Sequence, residues 1–221
     1  MYKPRVKICC ISSIDEANLA ISYGASAVGL VSKMPSGPGV IPEEMITKIA
    51  SIIPPGVSSF LLTSNQDVES IVGQQNRTGV NTIQIVDTLL NGTHQELKDA
   101  LPGISIVQVI HVNGPNSINE AMRLSPFVDG ILLDSGKQSL KIKELGGTGR
   151  THDWTLSRKI VQNVKIPVFL AGGLKPENVS EAIKQVRPYG LDLCSGVRTN
   201  GKLDEEKLLN FINEVNISSS V

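Results

Sequence analysis

The segment Pro167-Val168-Phe169-Leu170-Ala171-Gly172-Gly173-Leu174-Lys175-Pro176-Glu177-Asn178 holds a complete strand–turn–helix junction. Residues 167–170 are short and apolar on both faces, the texture of a parallel strand covered by helices. Gly172-Gly173 allows a tight turn. Pro176 and Glu177 then open a helix, with proline in its first turn and an acid near the positive end of its dipole. The same junction recurs along the chain. Strand-like runs lie at 6–10, 27–31, 58–62, 82–86, 107–111, 130–134, 167–170 and 191–195. Helical stretches follow each of them. The first starts at the capping-box pattern Ser13-Ile14-Asp15-Glu16 and stops near Gly24. The second opens at Pro42-Glu43-Glu44, and the others cover 67–72, 93–101, 116–124, 153–163, 176–186 and 204–215. Eight βα units in strict order, with no linker between them, predict one α/β domain over residues 1–221, a single TIM (β/α)8 barrel. An open doubly wound sheet is the rival. It often carries a glycine-rich first turn, and strand one here ends in Cys9-Cys10-Ile11 instead. The tail from Asn216 is expected to fray.

Composition narrows the function class. Lys+Arg and Asp+Glu are both 21, so the net charge is zero, which argues against a broadly basic nucleic-acid surface. Aromatics are only 4%, so the core must be aliphatic. Three cysteines, two of them adjacent, make no disulfide framework and suit a reducing compartment. With no signal-peptide pattern and no long apolar run, a cytoplasmic protein without a membrane span is expected.

In a barrel the reactive groups sit at the C-terminal ends of the strands. Strand one ends in Lys7-Ile8-Cys9-Cys10, where alternation would send one thiol inward and the other toward the helices. Cys9 reads either as a small buried apolar residue or as a base or nucleophile at the mouth. Strand six ends in Leu132-Leu133-Asp134-Ser135. An acid closing an apolar strand is either a capping group or a general acid whose pKa burial raises. Asp129, just before that strand, reads as a turn residue. Gly172 and Gly173 after strand seven, with Ser195 and Gly196 after strand eight, lie where barrels often bind phosphate through backbone N–H groups. Gly146-Gly147-Thr148-Gly149 reads as a turn or a mobile cover over the mouth. Lys141, Lys143 and Glu144 before it read as solvated. The histidines His94, His111 and His152 form no metal-binding spacing. His94 is expected to be exposed, and His111 either faces the pocket or has a hydrogen-bonded structural role.

Taken together, Lys7-Ile8-Cys9, Leu132–Ser135, the 146–149 glycines with Asp153-Trp154, Leu170–Leu174 with Pro176-Glu177-Asn178-Val179, and Ser195-Gly196-Val197 with Gly201-Lys202 resemble phosphoribosylanthranilate isomerases. The resemblance spans essentially the whole chain. It implies an Amadori rearrangement of N-(5′-phosphoribosyl)anthranilate in tryptophan biosynthesis, with Asp134 as general acid and Cys9 as general base. It places the phosphate of a small phosphorylated sugar at Gly172, Gly173, Ser195 and Gly196. No metal or organic cofactor is implied, and monomer and homodimer both stay open.

Departures from the family pattern are as informative. Cys10 stands where the family usually has glycine. Ser36-Gly37-Pro38-Gly39-Val40 replaces a Ser-Pro-Arg segment whose arginine meets the anthranilate carboxylate. Lys33, Lys7 and Arg198 are the candidate cations that remain, Arg198 standing at a family glutamate. Val86-Asp87 replaces His-Gly after Gln84-Ile85, and His152 replaces a phenylalanine. Three outcomes fit: the same isomerisation, a related one on another phosphorylated aminosugar, or a non-catalytic paralogue that binds sugar phosphate.

Overall fold

A computed structural model describes residues 2–136, 145 and 149–218. Of the expected glycine-rich cover, residues 146–148 lie outside the described residues, as do Lys141, Lys143 and Glu144. Eight strands, β1 (Arg5–Ile8), β2 (Ala27–Val31), β3 (Ser58–Thr63), β4 (Thr82–Ile85), β5 (Ser105–His111), β6 (Gly130–Asp134), β7 (Val168–Leu170) and β8 (Gly190–Leu193), close into one parallel barrel in chain order. The helices alternate with them: α1 (Ile14–Ser22), α2 (Glu43–Ala50), α3 (Val68–Thr78), α4 (His94–Ala100), α5 (Asn116–Leu124), α6 (Trp154–Asn163), α7 (Pro176–Val186) and α8 (Glu205–Ser218). After β8 the chain adds a short 3-10 turn, Ser195–Val197, and a two-stranded hairpin, β9 (Arg198–Thr199) with β10 (Lys202–Leu203). Among the described residues no helix is long and apolar enough to cross a membrane.

The alternating strand pattern sorts the core into two layers. Ile8, Val28, Leu61, Ile83, Ile131 and Leu191 point outward and are sealed by the helices, whereas Ala27, Phe60, Leu62, Val107, Leu132 and Phe169 fill the barrel itself. Each fully buried branched aliphatic contributes roughly 1.5–3 kcal/mol. Two aromatics lie inside the barrel. Phe60 and Phe169 meet edge to face at 5.8 Å, and a Cβ at Gly190 would lie 2.4 Å from the Phe169 ring. Gly190 is therefore the gap that Phe169 occupies.

Several boundaries differ from expectation, the largest at α3, which runs to Thr78 rather than stopping at 72. Strand β1 ends at Ile8, before the two cysteines, and β8 ends at Leu193, so that Ser195 belongs to the 3-10 turn. Helix α8 continues to Ser218 instead of fraying from Asn216, because Leu208, Phe211 and Val215 anchor it in the core.

Candidate active site

The C-terminal mouth of the barrel opens on a cleft lined by Cys9, Cys10, Val31, Met34, Pro38, Leu62, Gln84, Asp134, Gly172, Gly173, Asp192, Cys194 and Ser195 among others. The strand period explains the set. Gln84 and Asp134 occupy inward positions on β4 and β6, as Lys7 and Asp192 do on β1 and β8.

Both Cys9 and Cys10 face the cleft, against the alternation expected for a continuing strand. The reason is local. Cys10 adopts φ +62°, the left-handed region, which turns its side chain back toward the mouth. Glycine adopts that conformation freely; a side chain there costs about 1–2 kcal/mol. The facing loop adapts to the added thiol. A Cβ at Gly39 would lie 2.5 Å from the Cys10 Cβ, so only glycine fits opposite it. Cys10, Cys9 and Cys194 form one group of thiols, all free. The Cys10 thiol is pushed up by its bonds to Cys194 and Cys9 and by burial. Cys194 lies below the usual thiol range because Cys10 bonds to it and Arg198 is close, which together outweigh its burial.

Asp134 is 8% exposed, and its Oδ1 accepts from the Ser135 amide at 2.7 Å. Burial pushes its pKa up. The Ser135 bond and the nearby His111 and Lys7 pull it back, and Asp192 adds to the rise. The net rise favours the protonated acid, the form a proton donor needs. His111 is buried, with Nε2 on the Val86 carbonyl at 3.1 Å, and it does not line the cleft. His94 is half-buried rather than exposed, because its Nε2 meets Gln108 Oε1 at 2.9 Å. Asp129 has a structural role: it accepts from Lys98 at 2.6 Å and from the Ile106 amide at 2.9 Å.

Neither candidate cation at the barrel rim reaches the cleft. Lys7 is fully buried below Cys9, with Nζ 2.8 Å from Asp192 Oδ1. Burial opposes its charge, but Asp192 and Cys9 outweigh burial and hold the ammonium above the ordinary lysine range. Arg198 grips Glu16 through two bonds of 3.0 and 3.1 Å and donates to the carbonyls of Gly201, Cys9 and Cys10. It therefore fastens the β1–α1 loop to the end of β8. Its two terminal nitrogens are spent on that role, contrary to the expectation of a substrate contact. Lys33 is exposed. The described lining residues include no Lys, Arg or His, while Ser36, Gly37 and Pro38 form one rim.

The two glycine turns meet on the β7–β8 side. Gly172 and Gly173 have φ of +83° and +63°, and a Cβ at Gly173 would lie 2.8 Å from the Thr151 amide nitrogen. A Cβ at Gly196 would overlap the Leu174 carbonyl at 2.0 Å. The absence of side chains lets these loops close on each other, with Gly172, Gly173 and Ser195 on the cleft and Gly196 behind them, packed on Leu174. Asn178 pins the arrangement: its Nδ2 donates to the Gly173 carbonyl and its Oδ1 accepts from the Lys175 amide, both at 2.9 Å. Asn178 was legible only as part of a motif. Gln84 and Asp192 carried a plainer signal, a polar side chain in the middle of an apolar strand. Among the described residues no cluster of His, Cys, Asp and Glu could hold a metal ion.

His152 lies behind the Gly172 turn, with its Nε2 2.7 Å from Ser157 Oγ. Burial holds its pKa at about 4 against an ordinary 6.5. The unfolded chain thus takes up this proton before the folded one does. Stability from this group is complete above pH 6.5 and is lost as pH falls toward 4, by about 3 kcal/mol at 1.36 kcal/mol per pH unit. Urea midpoints measured at pH 7 and pH 4.5 should show this loss in the wild type and a clearly smaller one in His152→Phe.

Comparison with known proteins agrees along the whole barrel. A sequence model described as N-(5'phosphoribosyl)anthranilate (PRA) isomerase matches residues 6–214. N-(5'-phosphoribosyl)anthranilate isomerase 2 of Methanosarcina mazei is 39% identical over 210 residues, covering 94% of this chain and 92% of the relative. The isomerase of Methanocella arvoryzae is 32% identical, over 97% and 99% of the two chains. Among solved structures, phosphoribosyl anthranilate isomerase from Thermotoga maritima superposes with a TM-score of 0.79 at 30% identity, covering 96% of this chain and 98% of its own. A phosphoribosyl anthranilate isomerase in complex with reduced 1-(o-carboxyphenylamino)-1-deoxyribulose 5-phosphate gives 0.76 at 28% identity, over 96% and 98%. With a family match over nearly the full length and the barrel to go with it, this chain belongs to the N-(5'-phosphoribosyl)anthranilate isomerase family.

Proposed function

We propose that this protein isomerises N-(5′-phosphoribosyl)anthranilate to the aminodeoxyribulose phosphate, a step of tryptophan biosynthesis. The observation that carries the reading is the convergence of Cys9, Asp134, Gly172, Gly173 and Ser195 on one cleft. Asp134 gives a proton to the furanose ring oxygen, and the ring C–O bond opens to a Schiff base. Cys9 takes the proton from C2′, and the electron pair moves to form the enolamine, which relaxes to the ketose. The raised pKa of Asp134 supports its part as donor. The phosphate rests against Gly172, Gly173, Ser195 and Gly196, held by backbone N–H groups. Lys7 and Arg198 act from outside the cleft, one holding Asp192 and the other the loop that carries Cys9.

One observation favours a second reading. The rim formed by Ser36, Gly37 and Pro38 offers an aromatic carboxylate no guanidinium. A bidentate arginine adds geometry as well as energy, so a related phosphorylated aminosugar without that carboxylate is the alternative substrate. Steady-state turnover separates the readings. N-(5′-phosphoribosyl)anthranilate and its aniline counterpart are assayed side by side, together with complementation of a tryptophan auxotroph lacking the isomerase. Growth and turnover of the anthranilate compound support the first reading. Turnover of the aniline compound alone supports the second. Binding of either without turnover marks a non-catalytic paralogue.

A further inference from the structure

Gln84 lies on β4 with 3% of its surface exposed, and its Oε1 is buried without a hydrogen-bond partner among the described residues. Among the described residues five other buried side-chain atoms are unpartnered, on His111, His152, Trp154, Arg198 and Ser218, but of these six residues only Gln84 lines the cleft. A buried acceptor left unmade is destabilising, so its retention calls for an explanation outside the apo fold. Topology supplies the position. In a closed ring ordered β1 to β8, β4 stands opposite β8. The glycine turns occupy the β7–β8 side, and Cys9 and Asp134 lie on the arcs between.

A substrate anchored by its 5′-phosphate at β7–β8 and reacting at C1′ and C2′ directs its C1′ substituent toward β4. On the isomerase reading above, that substituent is an arylamine whose N–H is a donor. We propose that Gln84 Oε1 accepts a hydrogen bond from this N–H, making Gln84 a substrate-contacting residue that discriminates for an amine-linked aryl group. The bond strengthens as the ring opens, because the Schiff-base nitrogen gains positive charge and its N–H becomes a stronger donor. An interaction that grows toward the transition state raises kcat more than it lowers KM. The neutral amide also suits a site that already holds Asp134 and Asp192, where a third carboxylate would be repelled.

The test is Gln84→Met, which keeps the length of the side chain and removes the acceptor. Three measurements are made: steady-state kinetics, thermal stability without ligand, and the affinity of two probes. The probes are the reduced product, which carries the arylamine N–H, and its analogue with ether oxygen in place of N–H. The expected loss in kcat is about 10- to 100-fold, with KM within about threefold of wild type. The apo variant should melt no lower than wild type, since the lost amide has a buried, unpartnered Oε1 and its Nε2 makes no hydrogen bond among the described residues; a structural role for Gln84 would lower it. Wild type should prefer the N–H probe by about tenfold or more, and Gln84→Met should bind the two alike. Equal binding of the probes by wild type, or a preference that survives in the variant, overturns the assignment to the N–H. If wild type binds the reduced product well and discriminates, yet the variant keeps full kcat, Gln84 does not act in the chemical step and the proposal fails there. If wild type neither binds the reduced product nor turns over the substrate, the isomerase reading itself falls, and this inference with it.

Discussion

Asp134→Asn is expected to lose about 10²- to 10⁴-fold in turnover of N-(5′-phosphoribosyl)anthranilate, and Cys9→Ser a comparable amount. The reduced product should bind both variants within a few-fold of wild type. The amide of asparagine keeps the shape of the carboxyl and can still accept the Ser135 amide bond, but it has no acidic proton to give. The serine hydroxyl is nearly the size of the thiol and a far weaker base. Neither change adds bulk at these buried positions: Asp134 is 8% exposed, and Cys9 is 6% exposed, packed with Lys7 against Gly29. A fall in kcat with preserved binding is the signature of groups that act only during bond making and breaking. Wild-type turnover in both variants would remove the acid–base assignment altogether.

Lys7→Met is expected to destabilise the fold by about 3–5 kcal/mol, the penalty for leaving a buried carboxylate without its partner. Lys7 and Asp192 are paired across β1 and β8, and the lysine side chain is wholly buried above the Phe60 ring, 5.1 Å from its centroid. Removing the ammonium leaves Asp192 beside Asp134 with no positive charge between them. The double variant Lys7→Met/Asp192→Asn should recover most of the loss, because it removes the stranded charge along with its partner. Urea denaturation of the two variants reads this directly. A single variant as stable as wild type would mean that Asp192 is solvated or protonated in the native barrel. The same ion pair fixes the Asp192 side chain where it meets the cleft, so Lys7→Met should also lower turnover.

Much of this was legible in the linear chain. The order of βα units, the inward acid at the end of β6 and the paired glycine turns follow from periodicity and turn chemistry, which are local. Cys9 at the mouth was legible as a position, and its role only through the resemblance to a family. The direction of Cys10 was not legible. Strand alternation predicts opposite faces for adjacent residues, and the strand ends just before them, at Ile8. The positive φ that turns Cys10 inward is matched by Gly39, a residue 29 positions later.

The cations show the same division. Counting charges marks Lys7 and Arg198 as available, and nothing nearby in sequence says otherwise. Their partners, Asp192 and Glu16, stand 185 and 182 residues away. The orphaned oxygen of Gln84 belongs to this class too, since whether a buried atom has a partner depends on every element packed around it. By itself, then, the sequence determined the barrel, its eight-fold order and which strand ends carry reactive groups, because backbone preference and hydrophobic period act over a few residues. Only the tertiary structure decided which charges are spent on each other and which polar atoms still face the cleft, because those pairings form between strands that meet when the ring closes.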